Sequence, residues 1–93
     1  MTERAITDKI LAGLRSLGFY AWKQHGGPMQ QAGMPDVFAV RLGQLWAFEV
    51  KKPGGHTTRL QQKRLADLEA AGAKIAVVTS WEEVVTLTRA ESK

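Results

Sequence analysis

Two short apolar runs, Val37-Phe38-Ala39-Val40 and Leu45-Trp46-Ala47-Phe48, stand on either side of Arg41-Leu42-Gly43-Gln44. So short a connection between two strand-like runs leaves room only for a tight antiparallel turn. Asp36 opens the first run, and Glu49-Val50-Lys51 closes the second. Any short turn therefore sets Asp36 opposite Glu49, Val50 or Lys51, and gathers two carboxylates and an ammonium at one end of a hairpin. Side chains alternate along a strand, so Glu49 and Lys51 share a face while Val50 points away. Both runs carry apolar residues on both faces, the pattern of central strands covered by helices. In such a strand Glu49 is hard to read as plain surface charge.

This grouping suits metal-assisted phosphodiester hydrolysis. Hard divalent cations prefer carboxylate and carbonyl oxygens, keep several waters, and complete their shell from substrate phosphate. Asp36, Glu49 and the backbone carbonyl of Val50 are the candidate metal ligands. Lys51 is placed to position attacking water or to stabilise charge on the reacting phosphorus centre. The same letters also describe an Asp in a turn and a solvated Glu/Lys pair, which are common on protein surfaces.

The remaining elements follow from periodicity and caps. Ile6, Ile10, Leu14 and Leu17 recur at helical spacing, with Leu11 widening the stripe. Thr2 is the expected N-cap and Gly18 the C′ residue. Glu3 extends the apolar face at the first turn, where an acid also complements the helix dipole. Phe19 to Gln24 predicts a strand, and His25 to Gly33 an irregular loop. A loop that long in a small domain is often functional, here as a segment contacting or closing over a ligand. His25 is close enough in sequence to reach a phosphate, but a lone loop histidine is more often a bystander. After the hairpin, Lys52-Pro53-Gly54-Gly55 breaks the chain. Thr58-x-x-Gln61 fits a capping box opening a helix that Gly72 ends. Gln61 shares a helical face with Leu65, Leu68 and Gly72, which turns it toward the sheet. Lys74 to Thr79 is a β-branched last strand reached by a β-α-β crossover. Ser80-x-x-Glu83 is a second capping box, opening a helix with Trp81, Val84 and Val85 on one face. Residues 90–93 are expected to fray. Trp46 and Trp81 are core candidates, or one of them an interface residue.

The element order is thus α-β-β-β-α-β-α, an α/β fold with a mixed central sheet of about four strands flanked by helices. Ninety-three residues predict a single domain spanning 1–93. A chain this short buries only roughly 60–65% of its unfolded surface, so a second subunit would add core. No apolar run approaches the length of a membrane helix. The first residues lack a signal peptide's layout, and with no cysteine there is no disulfide framework or Cys-based zinc site. A cytoplasmic protein is the expectation. The net charge of +4 favours a polyanionic partner without proving one. Lys51, Lys52, Arg59, Lys63 and Arg64 crowd the acidic cluster in sequence, as a phosphate backbone would require, though a solvated helix face has the same look. Lys23, Lys52, Arg59 and Lys63 are the candidate contacts to such a backbone, DNA in the resemblance that follows.

Pro35-Asp36 followed by Glu49-Val50-Lys51 resembles the signature of the PD-(D/E)XK nuclease superfamily. More narrowly, three segments resemble the VRR-NUC (virus-type replication-repair nuclease) family: Gly33-Met34-Pro35-Asp36, Glu49-Val50-Lys51-Lys52-Pro53-Gly54, and Thr58-Arg59-Leu60-Gln61 ahead of a Leu-bearing helix. The resemblance runs from about Glu3 to about Val85. It implies a restriction-endonuclease-like core and a Mg²⁺- or Mn²⁺-dependent endodeoxyribonuclease, without organic cofactor, leaving a 5′-phosphate and a 3′-hydroxyl. In it Asp36 and Glu49 hold the metal, Lys51 is catalytic, and Gln61 orients water or Lys51. Glu3, on the N-terminal helix, is a further candidate ligand. Stand-alone relatives of this kind imply a homodimer cutting branched DNA, a Holliday-junction resolvase, and a phage or prophage origin. The alternatives are a nonspecific or flap-type nuclease, a catalytically inactive nucleic-acid-binding module of the same fold, and a protein-interaction domain.

Overall fold

The computed structural model describes residues 1–24 and 31–91. The expected loop and His25 fall largely outside the described residues, as does the expected fraying at the last two. The elements run in the predicted order: α1 (Glu3–Ser16), β1 (Tyr20–Lys23), β2 (Val37–Arg41), β3 (Gln44–Val50), α2 (Arg59–Ala70), β4 (Lys74–Val78) and α3 (Trp81–Glu91). The four strands form one sheet in the order β1-β2-β3-β4, with β3 and β4 parallel and the other pairs antiparallel.

The hairpin turn sets the register for everything near the site. Leu42 and Gly43 form a two-residue connection with φ of 51° and 78°, the positive pair of a type I′ turn. Arg41 therefore pairs with Gln44, and the ladder runs on to Val37 against Phe48. One further step brings Asp36 across from Glu49, which decides among the three partners that the hairpin alone allowed. The first strand is shorter than its apolar run. Phe19 drops into the core before it, while the Gln24 N–H still donates to the Asp36 carbonyl at 2.8 Å.

Alternation then sorts the sheet into two faces. On one face Ala21, Val37, Ala39, Trp46, Phe48, Val50 and Val78 pack against Ile6, Ile10, Leu11 and Leu14 of α1 and Val84 of α3. Phe19 meets Trp46 edge to face, with ring centroids 6.3 Å apart. Gly13 lets α3 approach α1, because a Cβ there would sit 2.5 Å from the Trp81 ring. Trp81 is thus a half-buried flank of the core rather than its centre. The opposite face carries α2, whose one buried residue is Leu65.

Both predicted N-caps on the longer helices are made. Thr2 Oγ1 accepts the Ala5 N–H at 3.0 Å, and Thr58 and Gln61 close a reciprocal capping box. The last box differs from expectation. Ser80 Oγ accepts the Glu83 N–H, but the Glu83 carboxylate reaches past Ser80 to the Thr79 N–H at 2.6 Å. Thr79 lies just after the strand, so this contact ties the end of β4 to the start of α3.

Leu42 holds a left-handed backbone conformation while its side chain is 97% exposed, so it carries the steric cost of that conformation with no packing in return. Leu42→Asn is expected to stabilise the protein by about 1 kcal/mol, a rise of about 4–8 °C in melting temperature. Thermal denaturation followed by circular dichroism checks this; an unchanged or lower midpoint would contradict it.

Candidate active site

Glu49 is the centre of the site. It is the penultimate residue of β3, on the α2 face, and is only 2% exposed, while its neighbours Phe48 and Val50 are anchored in the α1-side core. The strand therefore holds its carboxylate in place from behind. Glu49 Oε2 takes the Gln61 amide N–H at 3.4 Å and lies 3.6 Å from Lys51 Nζ. Lys51 is itself mostly buried, so this pair is shielded from solvent more than a surface ion pair is. Across the ladder, Asp36 Oδ2 accepts the Val50 N–H at 2.8 Å, which fixes the second carboxylate against the same strand end.

With both carboxylates ionised, Glu49 Oε1 is buried with no donor among the described residues. A carboxylate is acceptor-only, so an orphaned oxygen there is costly unless a proton or a cation supplies the missing partner. The Glu49 pKa shows the strain. It is pushed up to about 8, first by burial, then by the hydrogen-bonding and charge of the Asp36 carboxyl, with Lys51 pulling the other way. Two hard oxygen donors facing each other around an unsatisfied oxygen fit a divalent cation of the Mg²⁺ class. Among the described residues no group of three or more His, Cys, Asp or Glu side chains forms a fuller cage. Any such ion would take its other ligands from backbone, water or a bound phosphate.

Gln61 occupies both of the roles its position allowed. Its Oε1 accepts the Thr58 N–H at 2.9 Å while its Nε2 points at Glu49. The cap locks the side chain, and the locked side chain reaches the carboxylate. What docks α2 there is Gly33, at φ +80°, whose missing side chain leaves space for Leu60. A Cβ at Gly33 would lie 2.6 Å from Leu60 Cγ and 3.2 Å from the Leu60 carbonyl carbon. The Gly-x-Pro-Asp stretch thus has a steric reason: its glycine seats the first turn of α2, and its buried proline leads into Asp36.

Glu3 stands apart from the carboxylate pair. It lies at the same end of the sheet, where the Lys52 N–H donates to its Oε2 at 3.5 Å, but it does not join Asp36 and Glu49 in a three-carboxylate group. The candidate DNA contacts are dispersed. Lys23 pairs with Val37 in the ladder, one step from Asp36; Lys52 and Arg59 are exposed beside the site. Lys63 is engaged with Asp67 at 3.1 Å, and Arg64 donates to the Ala32 carbonyl at 3.0 Å, holding α2 to the segment before Asp36.

The raised Glu49 pKa fixes a sign. The folded state keeps the Glu49 proton to about pH 8, whereas the unfolded chain loses it near 4.5. The stability held by that proton is therefore full below pH 4.5 and is lost as pH rises to about 8. Glu49→Gln, which cannot ionise, is expected to gain in melting temperature over the wild type across that window in metal-free buffer. A constant difference across the window would rule this out. Gly33→Ala is expected to cost about 1–3 kcal/mol through the left-handed backbone and the Leu60 clash. Leu60→Ala in the same chain should recover only the steric part, as melting temperatures of the single and double variants would show.

No family model matches the sequence, and no curated protein does. Solved structures do. A structure described as a VRR_NUC domain superposes with a TM-score of 0.79 at 22% identity, over 96% of this chain and 97% of its own. Another, described as a VRR_NUC domain protein, gives 0.79 at 19% identity, over 96% of this chain and 86% of its own. The resemblance carried by the Gly-x-Pro-Asp and Glu-Val-Lys segments therefore extends to the whole architecture: this chain has the fold of the VRR-NUC domains.

Proposed function

We propose that the protein is a divalent-metal-dependent endodeoxyribonuclease that hydrolyses phosphodiester bonds in structured DNA, acting as a homodimer on four-way junctions. The observation that carries this reading is the convergence of Asp36, Lys51 and Gln61 on a buried Glu49 whose Oε1 lacks a donor among the described residues.

Asp36, Glu49 and the Val50 carbonyl are the oxygens that would hold Mg²⁺ or Mn²⁺, with Glu3 a further candidate at the edge. When bound, such an ion supplies charge stabilisation at the phosphate and acidifies the attacking water. The chain's own groups do the rest. The Val50 N–H holds Asp36 in place, so that carboxylate needs no reorganisation when substrate arrives. Lys51 brings a fixed positive charge to the Glu49 side of the site, where negative charge grows on the phosphoryl oxygens during attack. Gln61 offers its amide to the same carboxylate and, held by its cap, orients either Lys51 or the water. Lys23, Lys52, Arg59 and Lys63 supply backbone contacts that read phosphate and shape rather than sequence. A two-fold pair of such sites suits paired cuts across a two-fold branch point.

The test is cleavage of an immobile four-way junction, a Y-fork and a linear duplex, each with Mg²⁺, Mn²⁺ or EDTA. Metal-dependent paired nicks confined to the junction are expected, with Glu49→Ala inactive and Gln61→Ala reduced by about 10–100-fold. Cutting of all three substrates would keep the metal site and overturn the junction preference, leaving a nonspecific or flap-type enzyme. Binding that ignores EDTA, with no cutting by wild type, would make the protein a nucleic-acid-binding module.

A further inference from the structure

Tyr20 and Trp22 project from β1 onto the same sheet face as Asp36, Glu49 and Lys51. The register places Trp22 beside Phe38, two residues along β2 from Asp36. Trp22 stacks on Phe38 with centroids 5.7 Å apart and planes 17° from parallel, and Tyr20 meets Trp22 edge-on at 5.9 Å. Phe38 is buried beside Trp22, yet Tyr20 is 78% exposed and Trp22, the most exposed of the three tryptophans, 36%. Among the described residues α2 packs toward β4, so the β1 side of this face has no helix over it. Tyr20 and Trp22, their planes 61° apart and Trp22 covered on one side by Phe38, form a partly exposed aromatic cluster with ring surface left for a planar partner.

We propose that Tyr20 and Trp22 are a stacking platform for unpaired nucleobases next to the phosphodiester held at Asp36 and Glu49. This deepens the nuclease reading and rests on it. Two features select nucleobases over another apolar occupant. First, the platform is continuous with the site: by strand geometry the Trp22 backbone lies roughly 8 Å from that of Asp36, so one strand of nucleic acid spans both. Second, the carboxylate end of the rings' face carries positive charge at Lys51, 3.6 Å from Glu49; Lys23, next to Trp22 in the chain, alternates to the face of Ala21 and Val37. Aromatic rings on the same face as a cation are the makings of a single-strand binding surface, sequence-tolerant because every base has a π-face. The substrate feature this implies is unpaired bases beside the cut, as at an opened branch point, rather than continuous duplex.

The experiment measures binding in EDTA, where no metal-dependent cleavage occurs, using fluorescence anisotropy of labelled oligo(dT) and of a hairpin duplex of equal length. Tryptophan emission is recorded in parallel. Oligo(dT) is expected to quench emission, and Trp22→Ala or Tyr20→Ala to weaken its binding by about five- to a hundredfold. Duplex binding should change far less, and Trp22→Phe should retain most of the oligo(dT) affinity. Tyr20→Ala guards against misfolding at Trp22, since Tyr20 is largely in solvent. Equal oligo(dT) affinity in both alanine variants would overturn the proposal. So would conversion of a dimer to a monomer by either variant in analytical ultracentrifugation, which would make the occupant a second copy of the chain. Ring-dependent binding without any cleavage when Mg²⁺ is restored would uphold the platform while removing the nuclease assignment.

Discussion

The buried carboxylate of Glu49 is the constraint around which the rest of the structure is arranged. A carboxylate placed in a protein interior must be neutralised, paired or coordinated. Glu49 receives only part of each remedy. Lys51 and Gln61 serve one oxygen and the other has no donor among the described residues, while burial first and the Asp36 carboxyl second hold the proton to about pH 8. A fold selected for stability alone would place an apolar residue at this point of β3. The local frustration is the kind that concentrates at functional sites, where an incoming ligand completes the electrostatics.

Rigid supports make that arrangement possible. Val50 contributes from both sides: its side chain is locked in the α1-facing core while its N–H orients Asp36. The helix that brings Gln61 is weakly anchored by its own hydrophobic content, with Leu65 alone buried. Specific contacts hold it instead, through Leu60 against Gly33 and Arg64 against the Ala32 carbonyl. Both grips fall on the segment leading into Asp36. The two strands and the helix are therefore positioned relative to one another by these few specific contacts together with the core packing of Val50.

The hairpin was legible because two continuous apolar runs, a short connection and flanking polar residues all point to one structure. The caps at Thr2 and Thr58 were legible because a capping box is local chemistry between residues three apart. Less visible was the precise partner of Asp36, since turns of different length give different partners; positive φ at both Leu42 and Gly43 selects Glu49. The Thr79 contact of Glu83 was also hidden, because it depends on how the end of β4 enters the helix. The reason for Gly33 was not visible at all. Its spacing from Leu60 in the chain carries no signal that the two meet, and neither does the spacing of Gly13 from Trp81.

Periodicity and local sterics, which act over a few residues, dictate the order of elements, the hairpin, the caps, and the gathering of Asp36, Glu49 and Lys51 at one strand end. Packing between elements sets how deeply Glu49 is buried, that Gln61 reaches it while still capping its helix, that Glu3 stays outside the carboxylate pair, and that Tyr20 and Trp22 share the site's face. Each of these depends on solvent exclusion or on contacts between elements distant in the chain. Burial and electrostatic coupling are properties of the packed ensemble of elements, and no single segment contains them.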